Sequence, residues 1–436
     1  MSNTIFRVGT ANMYDNAIRN VSARQTSLVN LQENLTSGKR VVRASDDPVS
    51  AAQAERALTR ISRIQTEQRA LENQRNAIAQ AESTMGDAIS LVQEARQLMV
   101  NAGNGALSSS ERATIANQLQ SLRDQLTAVA NRTDTNGIPL LGALGSAVNP
   151  FLGPLPGNPD YEFKGQPGQS SNTGVSIANT LDGHSAFMFD AKRDGAYTAS
   201  VSTIPGNRTL TTSALTPVNP GAVTGNNYQI VFSAVGPGAT PGTATATYTI
   251  QDLTLGTSSA PVTVPDFPTD KPLSIEISAA TNPAVNVPGL SFTINASPAK
   301  QADGSLAYSP ANGDTISLQP SPSLFSTIDS AIKNIGGAAN NNAATQAVGQ
   351  ALANIDRGLE RMHNMRGYAG ELLNRADRIT GDQEKRSVQL ESDRSRAEDL
   401  DMIKGISDFQ NQQTGYQAAL QTYASVQKLS LFNYIG

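Results

Sequence analysis

Proline is spread over this 436-residue chain in a way that leaves room for one architecture only. Residues 49–138 and 323–436 contain none, whereas residues 201–320 hold 14 of the 22 prolines and only 9 Asp, Glu, Lys or Arg. A proline inside a helix costs about 3 kcal/mol, so the proline-free arms permit long helices and the middle does not. The chain therefore reads as two helical arms with an insert between them, an α+β class protein. Both ends supply a long antiparallel coiled-coil-like helical bundle, and the insert is an all-β domain.

Periodicity supports the arms. Ala57, Ile64, Leu71, Ile78, Met85, Val92 and Met99 fall seven apart, flanked by Gln74, Ala81, Ala88 and Ala95. Seven seam positions at a fixed period predict packing against neighbouring helices in coiled-coil fashion. Asp47-Pro48 predicts the start of this helix and Gly103/Gly105 its stop. Ser108 with Glu111 reads as a capping box opening a second helix, whose apolar face is Ile115, Leu119, Leu122, Leu126 and Val129; Asn136-Gly137 reads as a turn. The return arm repeats the pattern at Leu352, Ile355, Leu359, Met362, Leu373 and Ala376. Each arm has one apolar stripe to bury, which antiparallel packing of the two satisfies. In the insert, Tyr228/Ile230/Phe232, Tyr248/Ile250, Leu273/Ile275/Ile277 and Leu290/Phe292/Ile294 alternate as strands bounded by Gly, Pro or Asn. The expected division is residues 1–40 with 400–436 as terminal helices, 41–150 with 321–399 as the helical body, and 151–320 as the inserted domain.

The extreme ends differ from the body. Tyr14, Val21, Leu28 and Leu35 keep the heptad period, helped by Ile18 and Leu31, and so do Phe409, Tyr416 and Tyr423, helped by Ile406, Leu420 and Val426. The seam positions between them are poor: Arg24, Gln413 and Gln427. A lone terminal helix, or a lone pair, buries too little to offset the ordering of its backbone. Residues 1–40 and 400–436 are therefore expected to be largely disordered in the free monomer and to fold only between subunits.

Composition removes several function classes. There is no cysteine, hence no disulfide framework and no thiolate chemistry. Lys+Arg at 33 against Asp+Glu at 37 offers no electrostatic footprint for nucleic acid or an anionic membrane, and no apolar run is long enough to span one. The N-terminus lacks the basic and apolar regions of a cleaved secretory peptide. His184 and His363 sit in no ligand spacing, no phosphate-binding glycine loop occurs, and the adjacent carboxylates Asp46 and Asp47 cannot flank one bond. No catalytic residue, metal or cofactor is expected.

Short motifs add a family resemblance. Ser37-Gly38-Lys39-Arg40 followed by Ser45-Asp46-Asp47-Pro48 resembles the SGKR…SDDP stretch of the flagellin superfamily, and Arg366-Gly-Tyr-Ala-Gly-Glu-Leu-Leu-Asn374-Arg375 resembles its return helix. Three features are similar to the hook-associated, hook–filament junction branch. They are the opening Arg7-Val-Gly-Thr-Ala-Asn-Met13-Tyr14, the Pro310-Ala-Asn-Gly313-Asp314 segment and the ending Lys428-Leu-Ser-Leu-Phe-Asn-Tyr-Ile. The resemblance implies a structural protein exported through the flagellar channel without a cleaved leader. It would assemble with itself as a ring, between the other junction protein on the hook side and flagellin on the filament side. It also implies an export chaperone gripping the C-terminal helix, for which Phe409, Tyr416, Tyr423, Leu431 and Phe432 are the candidate contacts. A filament flagellin is the alternative.

Plainer readings stand beside these. Ser45 to Pro48 suits a helix start as well as an intersubunit contact, and Gly38 with Lys39 and Arg40 suits a helix stop as well as a grip on a neighbour. Phe409, Tyr416 and Tyr423 suit an intramolecular core as well as a chaperone site.

Overall fold

The computed structural model describes residues 10–145, 147–157, 160–202, 209–282, 285–300, 306–338 and 341–435; the side chains at 10, 11, 13, 14, 300, 306, 342, 426 and 428–435 lie outside the description. Eight helices are found among the described residues: α1 Thr10–Ser37, α2 Pro48–Ala102, α3 Ser109–Ala130, α4 Gly183–Phe187, α5 Ala191–Asp194, α6 Leu324–Gly336, α7 Asn341–Glu398 and α8 Met402–Ile435. The strands run from β1 Phe151–Leu152 and β2 Glu162–Phe163 through β3 Tyr197–Ser202, β4 Thr209–Thr212, β5 Thr216–Pro217, β6 Tyr228–Pro237 and β7 Thr243–Asp252. They continue with β8 Thr257–Ser258, β9 Val262–Pro268, β10 Leu273–Ile277, β11 Leu290–Ser297, β12 Ala299–Lys300, β13 Leu306–Ala307 and β14 Thr315–Pro320. The chain divides into two compact units: the described residues up to Ala70 with those from Arg378 onward, and Leu71–Asp377.

The second unit holds the β insert and most of the helical body. Leu71, Ile78, Met85, Val92 and Met99 of α2 are essentially inaccessible, as the heptad count requires, and so are Ala81, Ala88 and Ala95. The pairing is antiparallel. Arg75 bonds Asp377, Arg366 bonds Glu82 at 2.6 Å and Arg96 bonds Asp356 at 2.7 Å, so α7 descends as α2 rises. The α7 stripe is shifted from the leucine-based expectation. Ile355, Met362 and Ala376 are fully buried, Leu352, Leu359 and Leu373 only half so, and the seam adds Val348 and Ala369 at the seven-residue period. Alanine carries little hydrophobic weight in a sequence, yet here it is buried along the seam. At α3, the Ser108 hydroxyl accepts from Glu111 N and the Glu111 carboxylate accepts from Ser108 N at 2.7 Å, the expected capping box.

Among the described residues the insert has two main sheets over one core, with the short pairs β1-β2 and β12-β13 beside them. The larger runs β3-β14-β6-β7-β8 with β9 also on β7; the smaller runs β10-β11-β4 with β5 on β11, and all these pairings are antiparallel. The long strands bury alternate residues: Tyr228, Ile230 and Phe232 on β6, Ala244, Ala246, Tyr248 and Ile250 on β7, Leu290, Phe292 and Ile294 on β11. The Pro310 to Asp314 segment is the turn into β14: Gly313 at φ +87 and the Asp314 carboxylate accepting from Ala311 N at 2.7 Å shape it.

Chain entry and exit of the sheets lie side by side, since Met188 bridges Ser323 and Phe189 N donates to Pro322 O at 2.9 Å. Just before that point Phe187 stacks on Phe325 with centroids 5.4 Å apart, in an aromatic hub with Phe151 and Tyr161. The insert is docked on α7 by polar side chains at helical spacing. Gln350 accepts from Ala199 N and donates to Thr212, Asn354 donates to Tyr197 O at 2.9 Å, Arg357 to Leu215 O at 2.6 Å and Arg361 to Asp194 at 2.6 Å.

Candidate functional site

In the first unit, α1 and α8 pack on each other, and the two chain reversals meet at their bases. The motif Ser37-Gly38-Lys39-Arg40 ends α1. Gly38 adopts φ +70, the left-handed conformation that stops a helix without a Cβ penalty, and a side chain added there would meet no atom. Gly38 O accepts from Leu400 N at 2.9 Å, and Glu398 O accepts from Arg40 N at 2.7 Å, so the α1–α2 and α7–α8 reversals form a short antiparallel bridge. Lys39 pairs with the Glu398 carboxylate. The Arg40 guanidinium donates to Ala397 O at 2.8 Å, to Ser50 at 3.1 Å and to Asp47 at 3.3 Å.

The second half of the motif caps α2. Asp47 Oδ1 accepts from Val49 N at 3.2 Å and Ser50 N at 3.1 Å, and its Oδ2 from the Ser50 hydroxyl at 2.6 Å. Pro48 occupies the first helical position, where a missing N–H costs nothing. Asp46 Oδ2 accepts from Arg43 N at 2.8 Å and Val42 N at 3.2 Å, and Ser45 donates to the other Asp46 oxygen. Asp401 repeats the device on α8, accepting from Ile403 N and Lys404 N. The Ser50 hydroxyl first, then its backbone N–H and Arg40, hold the Asp47 carboxyl down at about 2, below its ordinary 3.8. This chemistry is that of a clamp: the carboxylates are occupied by backbone N–H groups, and no His/Asp/Glu cluster able to hold a metal occurs among the described residues. Burial lowers the His184 pKa, and its ring lies edge-on to Phe163.

The heptad residues of the ends line the α1/α8 pair without sealing it. Val21, Leu28, Leu31, Leu35, Phe409, Tyr416 and Tyr423 are half-buried, while Ile18 is 42% and Leu420 40% exposed. The side chains of Tyr14, Val426, Leu431 and Phe432 lie outside the described residues. The Leu431 and Phe432 part of the chaperone expectation therefore has no described geometry. Two helical glycines, missed in the sequence, lie on α8 next to side chains of α1. A Cβ on Gly405 would stand 3.2 Å from Leu35 Cδ2, and one on Gly415 would collide with the Arg24 guanidinium, which also reaches Gln412 at 3.3 Å. Glu398, Ala397, Leu400 and Asp401 were missed as well; a lone glycine inside a proline-free helix was the one available signal, since glycine there is costly unless packing requires it.

Comparison with known proteins places this geometry. The chain matches the bacterial flagellin N-terminal helical region over residues 8–144 and the C-terminal helical region over residues 352–435. Together these cover just over half of it, and the chain belongs to the bacterial flagellin family. Among curated relatives it is 34% identical to flagellar hook-associated protein 3 of Salmonella typhimurium over 147 residues, 33% of this chain and 46% of that protein. It is 27% identical to the flagellin of Escherichia coli over 212 residues, 48% of this chain and 37% of that one. The aligned stretch thus spans under half the length of these relatives. The fold is shared with the crystal structure of hook-associated protein 3 from Legionella pneumophila, at a TM-score of 0.57, 21% identity, and 78% of this chain and 97% of that one covered. Xanthomonas campestris FlgL aligns with a TM-score of 0.53 and 20% identity, covering 78% of this chain and 98% of that one.

Proposed function

We propose that this chain is a structural axial component of the bacterial flagellum, forming a junction ring that joins hook to filament and permits flagellin to polymerise. The observation that carries the proposal is the α1/α8 pair, whose apolar heptad faces stay half-open in a single chain and would be covered by neighbouring copies. In this reading residues 1–40 with 400–436 build the inner tube, 41–150 with 321–399 the next shell, and 151–320 the outer surface. The interface residues are Ile18, Val21, Leu28, Leu31, Leu35, Phe409, Tyr416, Leu420 and Tyr423, with Tyr14 and Val426 continuing the same heptads. The pair is marginal alone and completes its folding between subunits.

The partners are further copies of the chain, the other junction protein toward the hook, flagellin toward the filament, and before assembly an export chaperone on α8. Phe409, Tyr416 and Tyr423 serve the chaperone and the assembled tube in turn. No catalytic role is proposed. The favoured branch has the higher identity, whereas the longest of the quoted curated alignments is to a flagellin, so filament subunit is the competing role. Immunogold electron microscopy of cell-attached flagella, with antibody to residues 200–320, separates them. A single narrow band where hook meets filament is expected. Label along the filament would make the chain a flagellin, and no flagellar label would end the proposal.

A further inference from the structure

The most exposed large apolar side chain among the described residues opens α8: Ile403 is 84% exposed, with Met402 at 45% and Ile406 at 47% beside it on the first turns. Nothing local calls for isoleucine here. The helix start is already capped by Asp401, and a ridge of three aliphatic side chains in water is a surface awaiting cover.

The same unit offers a recess of matching character. Beside the clamp, Val41, Ala51, Ala54, Leu58, Arg43 and Glu55 line an open groove of about 430 Å³. Three alanines of α2, Ala51, Ala52 and Ala54, are among its lining. The chain's own Ile403 does not fill it, because that side chain stands in solvent. The flanking charges are complementary: Glu55 beside the groove and Lys404 beside the ridge are both exposed, and neither has an ion-pair partner among the described residues.

We infer that the groove of one copy receives the Ile403 ridge of the next, with Lys404 of that copy set against Glu55. Ridge and groove are different surfaces of one chain, so the contact is heterologous. Every copy presents both halves, and association propagates into a ring or helix instead of stopping at a two-fold dimer. The inference rests on the self-assembly reading above and names a contact for it centred on Ile403, with Ile406 the one residue it shares with the α8 heptad set.

The absence of cysteine gives a clean test. Full-length Leu58→Cys, Ile403→Cys and the double variant are produced in flagellated cells, and isolated flagella are oxidised and run on a denaturing gel. Both positions are on the surface, so the fold tolerates them. The double variant is expected to give a ladder of covalent multimers, and each single variant none. In the double-cysteine background, Lys404→Glu should abolish the ladder and Glu55→Lys added to it should restore it. Dimers from Ile403→Cys alone would show a two-fold contact and overturn the inference. So would chain present in the flagella with no cross-link, or a charge swap that fails to restore. Chain absent from the flagella would overturn the assembly reading itself, and immunoblotting of the same fraction tells the two failures apart.

Discussion

Two residues show how a side chain's protonation or polarity is set by what surrounds it. Asp47 holds both the α2 cap and Arg40, and its carboxyl is depressed to about 2 by Ser50 and Arg40. A depressed acid stabilises the fold fully above its ordinary 3.8, and that contribution is lost as pH falls through about 2. Asp47→Asn should therefore narrow the stability gap to wild type steadily between pH 4 and pH 2, measured by denaturant unfolding followed by circular dichroism. A gap that does not change over that window would contradict the role given to the ionised carboxylate. Gln383 is the opposite case. It sits seven residues beyond Ala376 on the α7 seam, 3% exposed, and neither amide atom has a hydrogen-bond partner among the described residues. An unpaired buried amide costs about 1–3 kcal/mol, so Gln383→Leu is expected to stabilise the protein by about that amount. A lower melting temperature in the variant would mean the amide is satisfied after all.

At the scale of elements, α2 follows its heptad because the seam from Leu71 to Met99 is apolar and buried without a break. Ile78 lies mid-seam and is inaccessible. Ile78→Asp places an unpaired charge there and should cost more than about 4 kcal/mol, seen as loss of cooperative unfolding or of soluble chain. The insert behaves otherwise. If the insert is an outward module, removing residues 180–300 should be tolerated far better than Ile78→Asp. In the structure that cut takes Phe187 from the aromatic hub and leaves β14 without β3 and β6. Excision of residues 190–321 with a short glycine linker joins Phe189 to Pro322, which already touch, and should keep cooperative helical unfolding. The larger loss is expected from the 180–300 deletion; equal behaviour of the two would contradict the position of the module's edge.

For the whole molecule, the two units answer to different demands. The helical seam and sheet core of residues 71–377 are closed within the chain, whereas the α1/α8 heptad faces are only half-covered. Leu420→Asp and Tyr423→Asp should accordingly leave the melting of the body unchanged while preventing incorporation into flagella. Normal incorporation, scored by the same immunogold label, would remove those residues from the interface.

Helix boundaries, capping residues and strand alternation were all present in the sequence, because each depends on side chains within one turn or one pleat. The Asp47-Pro48 start, the Gly38 stop, the Ser108/Glu111 box and the alternation on β6 and β11 are of this kind. The clamp was not, because Gly38, Arg40 and Glu398 are separated by some 360 residues and their bonds run mostly through backbone carbonyls, which carry no sequence signal. The polar ladder of Gln350, Asn354 and Arg357 escaped for a related reason. Polar residues at helical spacing read as a solvated face until a sheet is laid against them, and only the tertiary structure decides which face of α7 meets water.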